Sequence, residues 1–474
     1  MTEELRPEDR RRSFQFGYLM FDGQQPGPGW ISLGGMPAKR IKSPAEISTG
    51  EILLSNLDYE QMYEAGLATN PFLRSSSYLR VRVDTIMNEL GLGDEPDDII
   101  ETVPAISRVF HRIMNMVPMV GLENQDSAAA TLDRELEVIW PSPELPINNA
   151  QGHEDVTRHC LQERVRCNTT SVKGGVLISL RIPRMQHARQ MLTTPIPVGP
   201  WVVQRKPPAM AKGAHPAELP DMYKWLKSLG MPYFAKVDIP DGLGDQSSVV
   251  AFSCGARDDS GKLLRRQWAS DLEIEEMRKY GKVIIGPALV AKDAVPLEIP
   301  AFVSRLFKDG AAISSYSIGV LLENLWMSLV CRRTKPNAKK EAKGLDRFLI
   351  SYRAAYLRSL DRTICMQKAL KLFEKWPVFS YGGGEIKVSV DENDISELVA
   401  DGFRLGLEPS VGQMMKYGVH LPNDVPWGGP KPFEITARMK AQGRYEYIRA
   451  VDEMYFTEGN DRERLIQKLE RLAA

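Results

Sequence analysis

Residues 172–183, VKGGVLISLRIP, decide the fold class: a glycine pair opens a short β-branched run and a proline closes it, the signature of a strand. Further stretches of the same kind follow at 196–206 (IPVGPWVVQRK), 233–240 (YFAKVDIP) and 281–291 (GKVIIGPALVA). Among them, 249–268 (VVAFSCGARDDSGKLLRRQW) reads as a hairpin about the Asp258–Gly261 turn. The segment 271–281 (DLEIEEMRKYG) reads as a helix, acidic early and basic late as its dipole prefers.

Outward from this strand-rich middle, the pattern changes on both sides. Beyond Ile299 it is mainly helical, with 301–330 and a long amphipathic stretch at 345–376, then a turn and strand at 381–390 (YGGGEIKVSV) and a capped helix at 391–403. A proline-rich crossing segment (421–434) and a charged helix (460–474) close the chain. Toward the N-terminus, Val83, Ile86, Met87 and Leu90, then Ile106, Phe110, Ile113, Met114 and Val117, keep helical spacing, and GDEPDDIIE (93–101) leads from one to the other. The first 80 residues are broken by GQQPGPGW, LGGMPAK and RSSSY and read as an arm with little regular core. The expectation is an α+β protein: a turn-rich N-terminal arm with loops (1–80), an acidic helical segment (81–155), a mixed, β-rich middle part with short strands (156–298) and a mainly α-helical C-terminal lobe (299–474).

The 474 residues hold 61 basic and 61 acidic side chains, sorted into blocks. Between Asp84 and Asp155 fifteen acids face three arginines; Val156 to Ala214 holds ten basic residues and the single Glu163; Arg332 to Lys371 holds twelve against three. Such blocks attract polyanions or order neighbouring subunits. The third block opens with CRRTKPNAKKEAKG (331–344), carrying Arg332, Arg333, Lys335, Lys339, Lys340 and Lys343. On the helix that follows, about 100° per residue places Lys343, Arg347, Arg358, Arg362 and Lys368 on one side, with Asp361 the only acid among them. The second block carries Arg164, Arg166, Lys173, Arg181 and Arg184, with arginine outnumbering lysine as phosphate forks prefer. Trp201 is its only tryptophan, so backbone contacts without base specificity are expected. A competing reading pairs these arginines with the acidic block, within or between subunits.

Other chemistry has little footing. His153, His159, Cys160 and Cys167 lack metal-ligand spacing, so no metal and no cofactor are expected. GxxxxGK[ST], GxSxG and HExxH are absent, and Gly382–Gly384 reads as a turn rather than a phosphate cradle. Five scattered cysteines suggest free thiols in a reducing compartment, and no apolar run is long enough for a signal peptide or a membrane span.

The segment 300–316, PAFVSRLFKDGAAISSY, resembles, with one inserted residue, the VSR/FKD/AA segment of rhabdovirus nucleoproteins. The resemblance covers less than 4% of the chain and implies that Arg305 and Lys308 lie near bound RNA.

Together these readings predict a non-enzymatic, homo-oligomeric nucleic-acid-binding protein of the nucleoprotein or capsid kind, bound to the backbone of single-stranded RNA, intracellular or in a virion, with no membrane contact. The alternatives are a shell subunit held by opposite charges without nucleic acid, and an enzyme with its site in the middle domain.

Overall fold

The computed structural model describes most residues within 15–116, 164–205, 221–250, 268–299, 316–334 and 349–419, with a few positions outside these spans. The class is α+β. In chain order the strands and helices are β1 (Gln15–Phe21), β2 (Gly29–Leu33), β3 (Lys39–Ile41), β4 (Glu51–Ser55), α1 (Tyr59–Glu64), β5 (Leu73–Arg74), α2 (Val83–Leu90), α3 (Pro96–Met116), β6 (Val165–Arg166), β7 (Val176–Arg181), α4 (Arg184–Thr193), β8 (Ile196–Val198) and β9 (Val202–Gln204). Then come α5 (Met222–Leu229), β10 (Tyr233–Asp238), β11 (Gly242–Asp245), α6 (Ser247–Val250), β12 (Trp268–Ser270), α7 (Asp271–Met277), β13 (Ile284–Val290), β14 (Asp293–Val295), α8 (Tyr316–Cys331), β15 (Arg333–Thr334), β16 (Leu349–Ile350), α9 (Tyr352–Phe373), β17 (Val378–Gly382), β18 (Glu385–Val390), α10 (Ile395–Arg404), β19 (Glu408–Pro409) and α11 (Val411–Tyr417).

The turn-rich N-terminal stretch is a sheet where loops were expected. Its order is β3-β2-β1-β4-β5, with β1 antiparallel to β2 and parallel to β4. The strand QFGYLMF is apolar because it is covered on both faces: Phe16, Tyr18 and Met20 pack under α3 in a core that also takes in residues of α4 and α8, whereas Leu19 and Phe21 join Met62 of α1 in a second small core. Short strands buried on both faces show no alternation, and the glycines between them disguise the sheet as loop. Phe110 of α3 is fully buried and meets Phe16 and Tyr78 edge-on, each with ring centroids 6.2 Å away.

Two further sheets build the rest. The order β12-β10-β13-β9 is antiparallel throughout, and so is β19-β7-β18-β17-β6. The second joins β7 to β18 across some two hundred residues of chain, Val176 pairing with Val390 and Arg181 with Glu385. Inner-face residues of both sheets share one core with α10 and the C-terminal half of α9. The expected hairpin at 249–268 is corrected at its start: Val249 and Val250 end α6, and its turn lies outside the described residues, as do residues 1–14, the start of the expected arm, and 420–474 with the expected crossing segment and terminal helix.

Helix α9 is the axle. Leu357 and Leu360 enter the core under the first sheet, Cys365 to Leu372 the core between the other two, and Tyr352, Ala355 and Tyr356 a third cluster with Trp201 and Phe234. Burial on every side explains why this helix carries charged and apolar residues around its whole circumference.

Replacing Phe110 with alanine is expected to cost about 3 to 5 kcal/mol in urea unfolding, whereas Tyr59→Ala, at an exposed site, should stay within about 0.5 kcal/mol.

Candidate nucleic-acid interface

Two members of the expected basic stripe are internal to the fold. Arg358 and Arg362 are 5% and 1% exposed, which corrects their assignment to a phosphate-binding face. Arg362 donates from Nε to Glu273 Oε1 at 3.0 Å, from Nη1 to the Cys160 carbonyl at 2.7 Å and from Nη2 to Ser359 Oγ at 2.8 Å. Glu273 closes the circuit by accepting from Ser359 Oγ at 3.1 Å while its other role is local: with Ser270 it forms the capping box that starts α7. Arg358 lies over the Trp326 ring, 5.5 Å from its centroid. Lys368 is half-buried and donates to the Leu405 carbonyl.

Asp361, the lone acid of that stripe, is fully buried. It accepts from His187 Nε2 at 2.7 Å, from the Gly383 amide at 2.6 Å and the Gly384 amide at 2.9 Å, and from Cys365 Sγ at 3.6 Å. Burial alone would raise its pKa; the His187 hydrogen bond, the Gly383 amide and the charge of Arg358 outweigh it and hold the carboxyl down to about 2. Gly383 and Gly384 form the two-residue turn of the β17–β18 hairpin, both at positive φ (64° and 70°), and a Cβ on Gly384 would come within 3.1 Å of His187 Nδ1.

Arg181 and Arg184 are also committed. Arg184, 8% exposed, reaches both carboxylate oxygens of Glu89 at 2.5 and 2.6 Å and pairs with Glu323. Arg181 Nη2 lies 3.2 Å from Glu323 Oε1 and Nη1 3.8 Å from Glu89 Oε1. Burial pushes Glu323 up, yet Arg184 and Arg181 bring it below its ordinary value. Glu89 belongs to the acidic block, so part of the charge sorting is spent on an internal network. Glu408, paired with Arg181 in the β19–β7 register, is raised by burial to about 7 against those two arginines.

Of the rest of the second block, Arg166 stands on a sheet face. Inner-row residues Val165, Tyr381, Ile386 and Leu180 fill the core, so the outer row one step along reads Arg166, Ser380, Lys387, Ser179. Arg166 lies over Phe379, 4.7 Å from the ring centroid, and Arg164 pairs with Glu385 at 2.7 Å. Lys173 is exposed in the turn leading into β7. Among the described residues neither Arg166 nor Lys387 is ion-paired. Lys387 and Phe379 were missed from sequence; their strand positions were legible, their shared face was not.

Arg305, Lys308, Arg332, Lys335, Lys339, Lys340, Lys343 and Arg347 lie outside the described residues; Arg333 is in the short β15–β16 pair, its side chain undescribed. Cys160, Cys167 and Cys365 are buried thiols, and burial pushes the Cys167 thiol up. Among the described residues no group of three His, Cys, Asp or Glu side chains could hold a metal, and no helix is long and apolar enough to cross a membrane.

No protein-family model matches the chain, and no curated protein matches it. Similar solved structures are those of Phi29 DNA polymerase. The complex with primer-template DNA is 10% identical, with 80% of each chain covered and a TM-score of 0.40; the complex with single-stranded DNA is 11% identical, covering 79% of this chain and 80% of that one, with a TM-score of 0.38. At these scores the likeness assigns this chain neither fold nor activity. The expected non-enzymatic nucleoprotein or capsid subunit is corrected by the chain's own geometry: Arg358 and Arg362, the α9 arginines that supported it, are internal. The terms capsid, virion and structural protein fall with it.

Arg362→Gln should lower stability by about 3 to 5 kcal/mol because Glu273 is left as a buried carboxylate without its cation, and adding Glu273→Gln should restore part of the loss in the same denaturation experiment. Asp361 has a folded pKa below its ordinary 3.8, so its contribution is complete above about pH 4 and is lost as pH falls toward 2. Asp361→Asn should therefore melt well below the parent at pH 7, and the gap should narrow in acid.

Proposed function

We propose that the outer face of the β6–β17–β18–β7 sheet binds a single-stranded nucleic acid by its phosphates. The observation that carries the reading is Arg166 and Lys387, two cations without ion pairs among the described residues, set two strands apart on one face of the sheet. Strand spacing sets Arg166 and Lys387 about 10 Å apart at Cα, and Arg164 lies about 7 Å along the chain from Arg166. Lys173 extends the positive edge at the start of β7. Arginine and lysine supply the sequence-independent electrostatic term.

Single strands are favoured over duplex by Phe379. Its half-buried ring, stacked under the Arg166 guanidinium, offers an unpaired base an arginine–aromatic platform of the kind that sheet-based binders use. RNA is the proposed polymer, with DNA as the comparison. The reading draws on this face alone and leaves the buried arginines of α9 and the Glu89–Glu323 network as scaffold.

Fluorescence anisotropy of a labelled oligouridylate, titrated with salt, tests it. Arg166→Ala and Lys387→Ala should each reduce the slope of log affinity against log salt by about 0.7, as expected for one lost contact to a single strand, with folding unchanged. Lys282→Ala, at an exposed site in the loop before β13, should leave the slope where it was. Unchanged slopes in both face variants would remove this face from the interface. An oligodeoxythymidylate that binds more tightly would replace RNA by DNA.

A further inference from the structure

A separate cleft opens in the strand-rich middle, where α5, β10, α7 and α9 converge. Its volume is about 340 Å³, and Tyr223, Leu226, Tyr233, Asp271, Glu275 and Tyr356 are among its lining residues. Asp271 is its chemical centre. Tyr356 donates to Asp271 Oδ2 at 3.4 Å, whereas Oδ1 has no hydrogen-bond partner among the described residues.

The cations nearest the cleft are engaged elsewhere. Lys227 Nζ holds Glu275 at 2.8 Å at the exposed rim, and the Arg278 guanidinium lies 3.9 Å from the centre of the Tyr223 ring. Among the described residues no lysine or arginine pairs with Asp271. Asp271 is half-buried, its Oδ1 shut off from water with no cation beside it; that is costly, and the group that relieves the cost is a positive charge supplied from outside. Three tyrosine rings and the Leu226 side chain give such a charge an aromatic and apolar seat, the environment in which organic ammonium groups bind well.

We propose that this cleft binds a small organic cation, an ammonium group carried on an apolar or aromatic body, with the charge on Asp271. Burial raises the Asp271 carboxyl to about 7, against the nearby backbone amides of Leu272 and Tyr233 and the Tyr356 hydroxyl, which favour the charged form. The free site is therefore protonated below pH 7 and must lose that proton to pair with the ligand. Binding strengthens as pH rises through 7, and levels off above it. The groups around Asp271 are Tyr356 from α9, Tyr233 from β10, Tyr223 and Lys227 from α5, Glu275 on its own helix and Arg278 just after it. Burial raises Tyr233 and Tyr356 above the ordinary tyrosine value, so both stay neutral throughout this range.

Calorimetric titration of the full chain with 2-phenylethylamine and with its neutral isostere 2-phenylethanol, between pH 6 and pH 8, tests the proposal. The amine, which remains protonated over that range, should bind at least tenfold more tightly than the alcohol at pH 8 and should gain about tenfold in affinity from pH 6 to pH 8. Asp271→Asn should abolish both the preference and the pH dependence. Should that variant fold poorly, the isostere comparison on the parent protein decides alone. Tyr356→Phe keeps the carboxylate but removes a donor to its charged form, so it should retain the preference and move the midpoint upward in pH. Equal affinity for amine and alcohol, an amine affinity flat across pH 7, or no binding of either at millimolar concentration would overturn the assignment.

Discussion

The carboxylate of Asp361 is the constraint on which the arrangement turns. An ionised group with no exposed surface survives only if its lone pairs are used, and here His187 of α4, the Gly383 and Gly384 amides and Cys365 use them. One side chain thereby fixes three things at once: the height of α9, the approach of α4 and the place of the β17–β18 turn. The glycines follow from that demand, because two consecutive positive φ values and an imidazole 3.1 Å from any added Cβ exclude other residues at Gly384. The three-glycine run 382–384 is thus a turn whose amides are spent on a side chain of the same molecule.

Once α9 is anchored, the electrostatics sort themselves. Arginines that enter the interior take acids with them: Arg362 takes Glu273, and Arg181 and Arg184 take Glu89 and Glu323. Arg166 and Lys387, on the far side of the sheet that the Asp361 turn belongs to, have no such acid among the described residues. Internal pairs of this kind hold subdomain-sized pieces in register rather than supplying net stability, since hydrophobic packing of similar volume would stabilise as well or better. The outer face of the sheet and the Asp271 cleft differ from them in one respect: each presents a charge that the described part of the molecule does not neutralise.

How far the sequence reveals this depends on the kind of signal. Strands at 176–181, 233–238, 284–290 and 385–390 and helices at 83–90, 271–277 and 395–404 were legible from β-branched runs, period and caps, all of them local. The N-terminal sheet was not, because QFGYLMF and EILLS are buried on both faces and separated by glycine-rich turns. The pairing of β7 with β18 was beyond reach for a different reason: nothing in either strand names its partner. The helix 352–373 misled most, since a face free of large apolar residues is solvated only if some part of the helix meets water. Asp361 was the available clue: one acid among arginines, in a helix with no lysine partner for it, is better explained by an interior ion network than by a phosphate track. Arg164, Arg166 and Lys173 were visible as candidates, whereas Lys387, Phe379 and the Asp271 cleft required the three-dimensional arrangement.

The buried arginines of this chain hold the fold, whereas the surface cations Arg166, Lys387 and Lys173 are the ones proposed to meet a polymer. Acetylation footprinting of lysines, read by mass spectrometry with and without saturating oligouridylate, tests that division directly. Lys387 and Lys173 should be protected by the oligonucleotide, while Lys236 and Lys292, exposed on the other sheet and in the turn after it, should label equally in both samples. Labelling of Lys387 and Lys173 that is indifferent to bound oligonucleotide, or protection confined to Lys236 and Lys292, would contradict it.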